Sequence, residues 1–152
     1  MGNKKKRLIL IGRSRAGKTT LIQYLYNQEM KYSKTQTIEV INNVIVDTPG
    51  EFLEQYRMRG AINLTACDCD YIFFVQQAND PDTMFPPGYS SSFGKPCIGI
   101  VTKSDLGSKE EILHAIEILE DGGVERTFVT SSKLGTGFEE LVEYIRGEGV
   151  EL

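Results

Sequence analysis

Short apolar runs alternate with stretches of helically spaced apolar residues along nearly the whole chain. Apolar runs bounded by turn-forming residues are typical of buried strands, and helical apolar spacing is typical of amphipathic helices. Strands are predicted at residues 8–11, 38–41, 44–46, 71–75, 98–101 and 126–130. Helices are predicted at residues 19–27, 109–119 and 138–145, with a weaker helical stretch at 53–64. This alternation predicts an α/β fold in which helices pack around a mostly parallel sheet.

Local signals add detail between these elements. Asn42-Asn43 joins the second and third predicted strands, and asparagine tolerates the left-handed backbone that a tight hairpin requires. Ser108 and Glu111 have the spacing of a capping box at the start of a helix. Residues 77–96 contain four prolines, so no regular element is predicted there. A loop of this length in a compact domain is usually functional or mobile.

Length and charge limit the classes of partner. The 152 residues, with a mass of 17.0 kDa, fit a single domain over residues 1–152. Acidic residues outnumber basic ones by 21 to 17, for a net charge of −4 and a pI near 5.1, which disfavours a broad basic surface for nucleic acid or anionic membranes. No apolar run approaches the roughly 18 residues of a membrane span. The basic cluster at residues 4–7 precedes only four apolar residues, too few for a secretory signal. We expect neither nucleic acid nor membrane as a partner.

The cysteines and the single histidine predict no metal site of their own. An odd number of cysteines, Cys67, Cys69 and Cys97, is typical of free thiols in a reducing compartment, so a cytoplasmic location is expected. Only one residue separates Cys67 from Cys69, and no second pair exists to complete a zinc tetrahedron. His114 lies among apolar residues of a predicted helix and is interpreted as a surface or core-edge residue.

One motif indicates nucleotide chemistry. Residues 12–19 match the pattern G-x-x-x-x-G-K-[ST], between a predicted strand and a predicted helix. Consecutive N–H groups of such a loop form a nest for the β-phosphate, and the helix adds its positive end. Lys18 can reach the β- and γ-phosphate oxygens, and the Thr19 hydroxyl can ligate magnesium. The alternative, a chance glycine turn, is disfavoured by the strand before it and the helix after it. The predicted phosphate-binding residues are Gly12, Arg13, Ser14, Arg15, Ala16, Gly17, Lys18, Thr19 and Thr20.

A second candidate segment, Asp47-Thr48-Pro49-Gly50, follows the third predicted strand. Asp47 can hold a magnesium-bound water, and the N–H of Gly50 can meet the γ-phosphate. In isolation this sequence is an ordinary turn. Some 30 residues after a phosphate loop, it is predicted to belong to the same site.

The ends of the last two strands carry candidates for base recognition. A carboxylate at Asp105 can accept hydrogen bonds from guanine N1–H and the 2-amino group, a pair of donors that adenine lacks. The aliphatic stem of Lys103 can cover the base. An N-cap aspartate before Gly107 is the alternative. Residues 130–133 can supply a backbone N–H to guanine O6, and a helix cap is an equal alternative there. The predicted base-contacting residues are Thr102, Lys103, Asp105, Ser132 and Lys133.

In order and spacing these motifs resemble the motif series of Ras-like small GTPases over nearly the full chain. More specifically, residues 34–36, 47–51, 85–88 and 95–105 resemble the EutP/PduV family, small P-loop proteins of bacterial ethanolamine and propanediol utilisation. The resemblance implies a three-layer P-loop NTPase fold with one antiparallel edge strand in a six-stranded sheet. It also implies association with bacterial microcompartments, with shell proteins or pathway enzymes as partners.

Three positions differ from the Ras-like pattern or leave alternatives open. Glu51 stands where Ras-like proteins carry the glutamine that orients the attacking water, so slow turnover is predicted, on the order of 10⁻⁴ s⁻¹. The magnesium ligand after the first helix is Thr35 by the EutP-like pattern and Thr37 by Ras-like spacing. Arg13 and Arg15 either reach the phosphates as charge stabilisers or face solvent. The predicted catalytic residues are Lys18, Thr35, Gly50 and Glu51, and the predicted metal ligands are Thr19, Thr35 and Asp47.

Three functional hypotheses follow. The first is a magnesium-dependent protein that binds GTP and GDP and hydrolyses GTP slowly, with residues 31–37 and 50–60 ordering on the γ-phosphate. The second is a small phosphotransferase that uses ATP to phosphorylate a short carboxylate, with residues 77–96 as a lid over the acceptor. The third is a non-catalytic recruitment module whose basic residues 4–7 dock on an acidic partner, although a solvated chain end explains that cluster equally.

Overall fold

The computed structural model describes residues 5–26, 38–41 and 44–152, and its centre is a six-stranded sheet. The strands are β1 (Leu8–Ile11), β2 (Glu39–Ile41), β3 (Ile45–Asp47), β4 (Tyr71–Gln77), β5 (Cys97–Thr102) and β6 (Arg126–Val129). The helices are α1 (Lys18–Tyr26), α2 (Gly50–Glu54), α3 (Arg59–Ala66), α4 (Lys109–Asp121) and α5 (Phe138–Gly147). All six predicted strands are confirmed: β1 has the predicted bounds, and the ends of the other five differ by one or two residues.

The sheet order is β2-β3-β1-β4-β5-β6, and only β2 runs antiparallel to its neighbour. The antiparallel edge strand expected from the family resemblance is therefore present. The carboxyl ends of the five parallel strands meet at one edge of the sheet, where ligands of open α/β sheets bind. The proposed hairpin turn at Asn42-Asn43 lies outside the described residues, but Val44 N–H donates to Ile41 O at 3.0 Å directly beside it.

Helices cover both faces of the sheet. Alternate residues of β1 point to opposite sides, and all four are fully buried. Leu8 and Leu10 pack in the cluster that contains α1 and α5, whereas Ile9 and Ile11 pack in the cluster that contains α2, α3 and α4. This three-layer arrangement explains why the strands read as continuous apolar runs rather than alternating ones.

The weaker helical stretch predicted over residues 53–64 is confirmed as mostly helical, but it is divided at Gln55. Gln55 leaves the helical conformation, with φ −101° and ψ 114°, and a 3₁₀ turn at Tyr56–Met58 separates α2 from α3. The guanidinium of Arg59 donates to Leu53 O at 3.0 Å and to Met84 O at 3.1 Å. Tertiary hydrogen bonds therefore satisfy the end of α2, and the helical spacing of the sequence does not continue through this point.

The prediction of no regular element in residues 77–96 is wrong, because Tyr89–Ser92 form a 3₁₀ turn. Phe85, Tyr89 and Phe93 surround Phe74 of β4, with ring centroids 4.7, 5.4 and 5.9 Å away. Aromatic burial of this kind fixes a segment without regular hydrogen bonding. The segment is part of the packed core on the α4 side of the sheet.

Several predictions made from local sequence signals are confirmed. The capping box of Ser108 and Glu111 is present at the start of α4, with hydrogen bonds of 3.0 and 3.1 Å. All three cysteines are free thiols and His114 is exposed, as expected. Within the described ranges, no helix is long and apolar enough to cross a membrane.

Candidate nucleotide-binding site

The loop between β1 and α1 combines left-handed backbone conformations with close packing against the sheet. Arg15 and Gly17 lie in the left-handed region, with φ of 68° and 95°. A Cβ on Gly12 would approach Val75 O to 2.6 Å, so the neighbouring strand leaves room only for glycine. This close packing against β4 places residues 12–17 at the sheet edge where the parallel strands end.

Lys18 is the first residue of α1 and is almost fully buried beneath this loop. Its Nζ donates to Gly12 O at 2.8 Å and to Arg13 O at 3.0 Å. Burial lowers the pKa of Lys18, and the carboxylates of Asp47 and Glu54 partly oppose that shift. An ammonium group has three N–H donors, so one remains for a ligand in this arrangement.

Asp47 ends β3 directly beside the phosphate loop. Its carboxylate is 2% exposed, and it is in register with Leu10 of β1. The next residue, Thr48, donates its hydroxyl to Leu10 O at 2.7 Å and so fixes the chain as it leaves the strand. Asp47 therefore places a buried carboxyl group close to Lys18.

The oxygen atoms available beside the phosphate loop suit a magnesium ion whose coordination shell is completed by phosphate oxygens and waters. No group of three or more metal-ligating His, Cys, Asp or Glu side chains occurs within the described residues. Magnesium typically uses one or two protein oxygens together with phosphate oxygens and waters. The Thr19 hydroxyl and the Asp47 carboxylate, both at the edge of the phosphate loop, supply oxygens of this kind. Thr35 and its alternative Thr37 lie outside the described residues.

The segment after β3 folds directly onto the phosphate loop. The backbone of Gly50 lies so close that an added Cβ would be 2.0 Å from Ser14 N. One helical turn later, Glu54 Oε1 accepts a hydrogen bond from Ser14 N–H at 2.9 Å. Glu51 lies in α2, but its side chain is outside the described part of the structure.

The end of β5 is tied to the phosphate loop. Thr102 is buried and its hydroxyl donates to Ala16 O. Lys103 adopts a left-handed conformation, with φ 55°, and its Nζ donates to Arg15 O at 2.8 Å and to Gln77 Oε1 at 3.0 Å. Burial lowers the pKa of Lys103, with the nearby Arg15 cation as a further cause. These contacts connect Lys103, which follows β5, to the phosphate loop and to the end of β4.

Asp105 is held by the loop after β6. The fully buried Ser131 donates its hydroxyl to Asp105 Oδ1 at 2.6 Å. Ser132 is half-buried, and its carbonyl accepts a hydrogen bond from the Tyr24 hydroxyl at 2.6 Å, whereas Lys133 is exposed. A small cavity lies beside these residues, lined by Gly17, Thr20, Leu21, Thr102, Lys103, Thr130, Ser132 and Phe138.

A match to a family model covers residues 5–147 and carries the description "Ethanolamine utilisation - propanediol utilisation". The chain belongs to the PduV-EutP family. It is 37% identical to the propanediol utilization protein PduV of Citrobacter freundii, over 94% of this chain and 95% of that protein. It is 31% identical to a protein of Escherichia coli K12 named probable acetate kinase EutP, over 92% of this chain and 89% of that protein. The resemblance stated from the motifs is confirmed.

The PduV-EutP family member also resembles larger GTPases. It is 29% identical to the GTPase Era of Sinorhizobium medicae, over 90% of this chain and half of that protein. Bacterial elongation factor EF-Sec superposes with a TM-score of 0.72 at 21% identity, covering 98% of this chain and 30% of that one. SelB of Methanococcus maripaludis, solved with the GTP analogue GppNHp, gives 0.66 at 23% identity, covering all of this chain and 36% of that one. At these identities the two structures show the shared P-loop GTPase fold, which confirms the predicted fold class.

The family member brings most of the predicted residues to one edge of the sheet, and Arg13 differs from its prediction in detail. Arg13 turns to Asp80, with Nη1 2.9 Å from Oδ2, so it adopts neither of the two orientations considered from the sequence. Arg15 is exposed. Sequence reasoning missed Glu54 and Tyr24 altogether. The position of Glu54, one helical turn after Gly50, was the available signal, but only the fold shows that α2 faces the phosphate loop.

Proposed function

We propose that this PduV-EutP family member binds guanine nucleotides with magnesium and hydrolyses GTP slowly. The observation that supports guanine most directly is the fixed carboxylate of Asp105, which Ser131 orients through a hydrogen bond of 2.6 Å. A carboxylate held by one oxygen keeps acceptor capacity for a ligand. Guanine presents N1–H and the 2-amino group side by side, and adenine presents no such pair.

The phosphate end of the proposed site depends on backbone N–H groups and Lys18. Consecutive backbone N–H groups of the loop and the positive N-terminal end of α1 would attract the phosphate oxygens. The Lys18 ammonium supplies the remaining N–H and a charge in a site shielded from solvent. Thr19 and Asp47 would hold the metal. Bound magnesium would neutralise charge on the phosphate oxygens as the terminal bond breaks.

Substitution of Asp105 by alanine tests base recognition. We expect a loss of at least tenfold in affinity for GTP and GDP, because two charge-assisted hydrogen bonds to the base disappear, each worth about 1.5–3 kcal/mol. Affinity for ATP should change less than threefold. Calorimetric titration of both nucleotides with magnesium measures the effect, and Asp121→Ala, an exposed residue at the end of α4, is the matched control. Equal losses for both nucleotides would contradict guanine selection.

Turnover by the isolated protein is expected to be slow, on the order of 10⁻⁴ s⁻¹ as in unassisted small GTPases. The physical reason lies in the sequence: the residue after Gly50 is the acidic Glu51, whereas Ras-like proteins carry at this position a neutral glutamine that orients the attacking water. Single-turnover release of phosphate from GTP measures the rate, with magnesium chelated in the control reaction. A rate above about 1 s⁻¹ would contradict the proposal.

A second candidate is transfer of a phosphoryl group from ATP to a short carboxylate. It is supported by relatives of Escherichia coli and Salmonella typhimurium that carry the name probable acetate kinase EutP, at 31% and 29% identity. In this reaction a carboxylate oxygen forms a bond to the γ-phosphorus and ADP leaves with the electron pair of the broken bond. Preference for ATP that Asp105→Ala leaves unchanged, together with acetyl phosphate formation from acetate and ATP, would favour this function over the first.

The family name also supports a role in ethanolamine or propanediol utilisation. We propose that the protein acts beside the pathway enzymes or the shell of the corresponding microcompartment. Co-purification of nucleotide-loaded protein with shell proteins, compared with the nucleotide-free protein, tests this association and the recruitment hypothesis together.

A further inference from the structure

Glu54 places a carboxylate on a phosphate-binding element of the protein. Its Oε1 accepts the N–H of Ser14 at 2.9 Å, inside the loop whose N–H groups are built to bind an anion. The carboxylate is also close enough to Lys18 to act on that ammonium electrostatically. An acidic side chain thus occupies one N–H group of the phosphate loop and acts electrostatically on Lys18, the second group that an incoming phosphate needs.

The contact is fixed by backbone packing and does not depend on the Glu54 side chain alone. Gly50, at the start of the same helix, lies against the loop so closely that a Cβ would be 2.0 Å from Ser14 N and 2.6 Å from Arg13 C. At the other end of α2, Leu53 is fully buried and its carbonyl accepts a hydrogen bond from Arg59. Contacts at the first turn and at the last turn of α2 therefore fix the position of Glu54 beside the loop.

The same helix is connected to the packed segment that follows β4. Arg59 bridges Leu53 O and Met84 O, with distances of 3.0 and 3.1 Å. Met84 precedes Phe85, whose ring is buried and stacks on Phe74 at 4.7 Å. Moving Glu54 away from the loop consequently requires α2 to shift relative to a fixed aromatic cluster, or requires the side chain to rotate out.

We propose that Glu54 sets the preference between nucleoside diphosphates and triphosphates by competing with the terminal phosphoryl group for the phosphate loop. The inference rests on the proposed nucleotide binding but not on the choice of guanine. A diphosphate leaves the Glu54 contact in place. A triphosphate brings additional negative charge to the same region and must expel the carboxylate, which weakens its binding.

The test compares GDP with the non-hydrolysable analogue GppNHp, and ADP with AppNHp, by calorimetry on the full chain with magnesium. Glu54→Gln removes the charge at nearly constant volume, and Glu54→Ala removes the acceptor as well. We expect about a tenfold rise in affinity for the triphosphate analogue and less than a threefold change for the diphosphate. Glu120→Gln, an exposed position of α4, removes the same charge at a distance and should change neither.

A structural readout separates competition from a general effect on folding. The gain in hydrogen-exchange protection of residues 50–58 between the GDP and GppNHp complexes should be smaller in the wild-type protein than in Glu54→Ala, because only the wild type loses the contact between Glu54 and Ser14 when the triphosphate binds. Glu54→Asp keeps the charge but shortens the side chain. Its preference for diphosphate over triphosphate should therefore fall between those of the wild type and Glu54→Gln. This third variant keeps the test available if one of the others folds poorly. Equal changes for diphosphate and triphosphate in these variants would overturn the inference. Failure of the wild type to bind any of the four nucleotides would instead overturn the proposed function, and this inference with it.

Discussion

Lys18→Ala is expected to weaken binding of both GTP and GDP by at least about a hundredfold. In the proposed complex the side chain would donate a charge-assisted N–H to the phosphates, from a position that is almost closed to water. Alanine also leaves Gly12 O and Arg13 O without the donor that now joins them at 2.8 and 3.0 Å. Loss of ligand binding and loss of loop rigidity therefore act in the same direction.

The stability of the Lys18→Ala protein should change little in comparison. Burial lowers the pKa of Lys18, which means that folding desolvates a charged group at an energetic cost. Removing the ammonium removes that cost together with the two hydrogen bonds, and the two effects oppose each other. Calorimetric affinities beside thermal melting curves measure the difference, and Lys109→Ala, an exposed position at the start of α4, is the control. An affinity within threefold of wild type would place the phosphates away from this loop.

Gly137→Ala is expected to destabilise the fold by about 3 kcal/mol or more. Gly137 precedes α5 with φ 83°, and an added Cβ would approach Val129 O to 2.0 Å. The obstacle is a backbone carbonyl of the last strand, which cannot rotate away as a side chain can. Either α5 or the end of β6 must move, and both carry residues of the core cluster that also contains α1.

Gly135→Ala is the matched control for this substitution. It has a similar left-handed φ of 69° in the same turn, but no atom lies within 4 Å of an added Cβ. It should cost only about 1 kcal/mol, the conformational penalty alone. Urea unfolding of the two variants measures the difference between clash and conformation. Similar losses for both would show that α5 adjusts freely to the extra atom.

The elements that could be predicted from the sequence are those whose signals are local. The four residues of β1 are apolar because helices cover both sides of the sheet, and they were predicted without error in either bound. The capping box at Ser108 depends on residues three apart in the chain, and it formed as expected. The phosphate loop required only a pattern of glycines between a strand and a helix, which sequence contains directly.

The features that escaped prediction depend on contacts distant in the chain. The break at Gln55 is stabilised by Arg59, which also reaches Met84, and nothing in the spacing of residues 53–64 signals that bridge. The order of residues 77–96 comes from rings that pack on Phe74, whereas prolines in the sequence indicated only a loop. Glu54 reads as an ordinary polar position until the fold turns α2 toward Ser14.

The hydrogen bonds to the carbonyls of the phosphate loop also determine which way its peptide planes face. In a trans peptide the C=O and the following N–H point in opposite directions. Lys18 holds the carbonyl of Arg13 and Thr102 holds that of Ala16, so the N–H groups of Ser14 and Gly17 are turned to the other side. The direction in which these N–H groups face is thus determined in part by two side chains outside residues 12–17, together with the N–H of Ala16, which also donates to Arg13 O. Side chains at positions 14–16 can change without reversing that orientation, whereas Thr102, 86 residues from Ala16 in the chain, cannot lose its hydroxyl without releasing one of the planes.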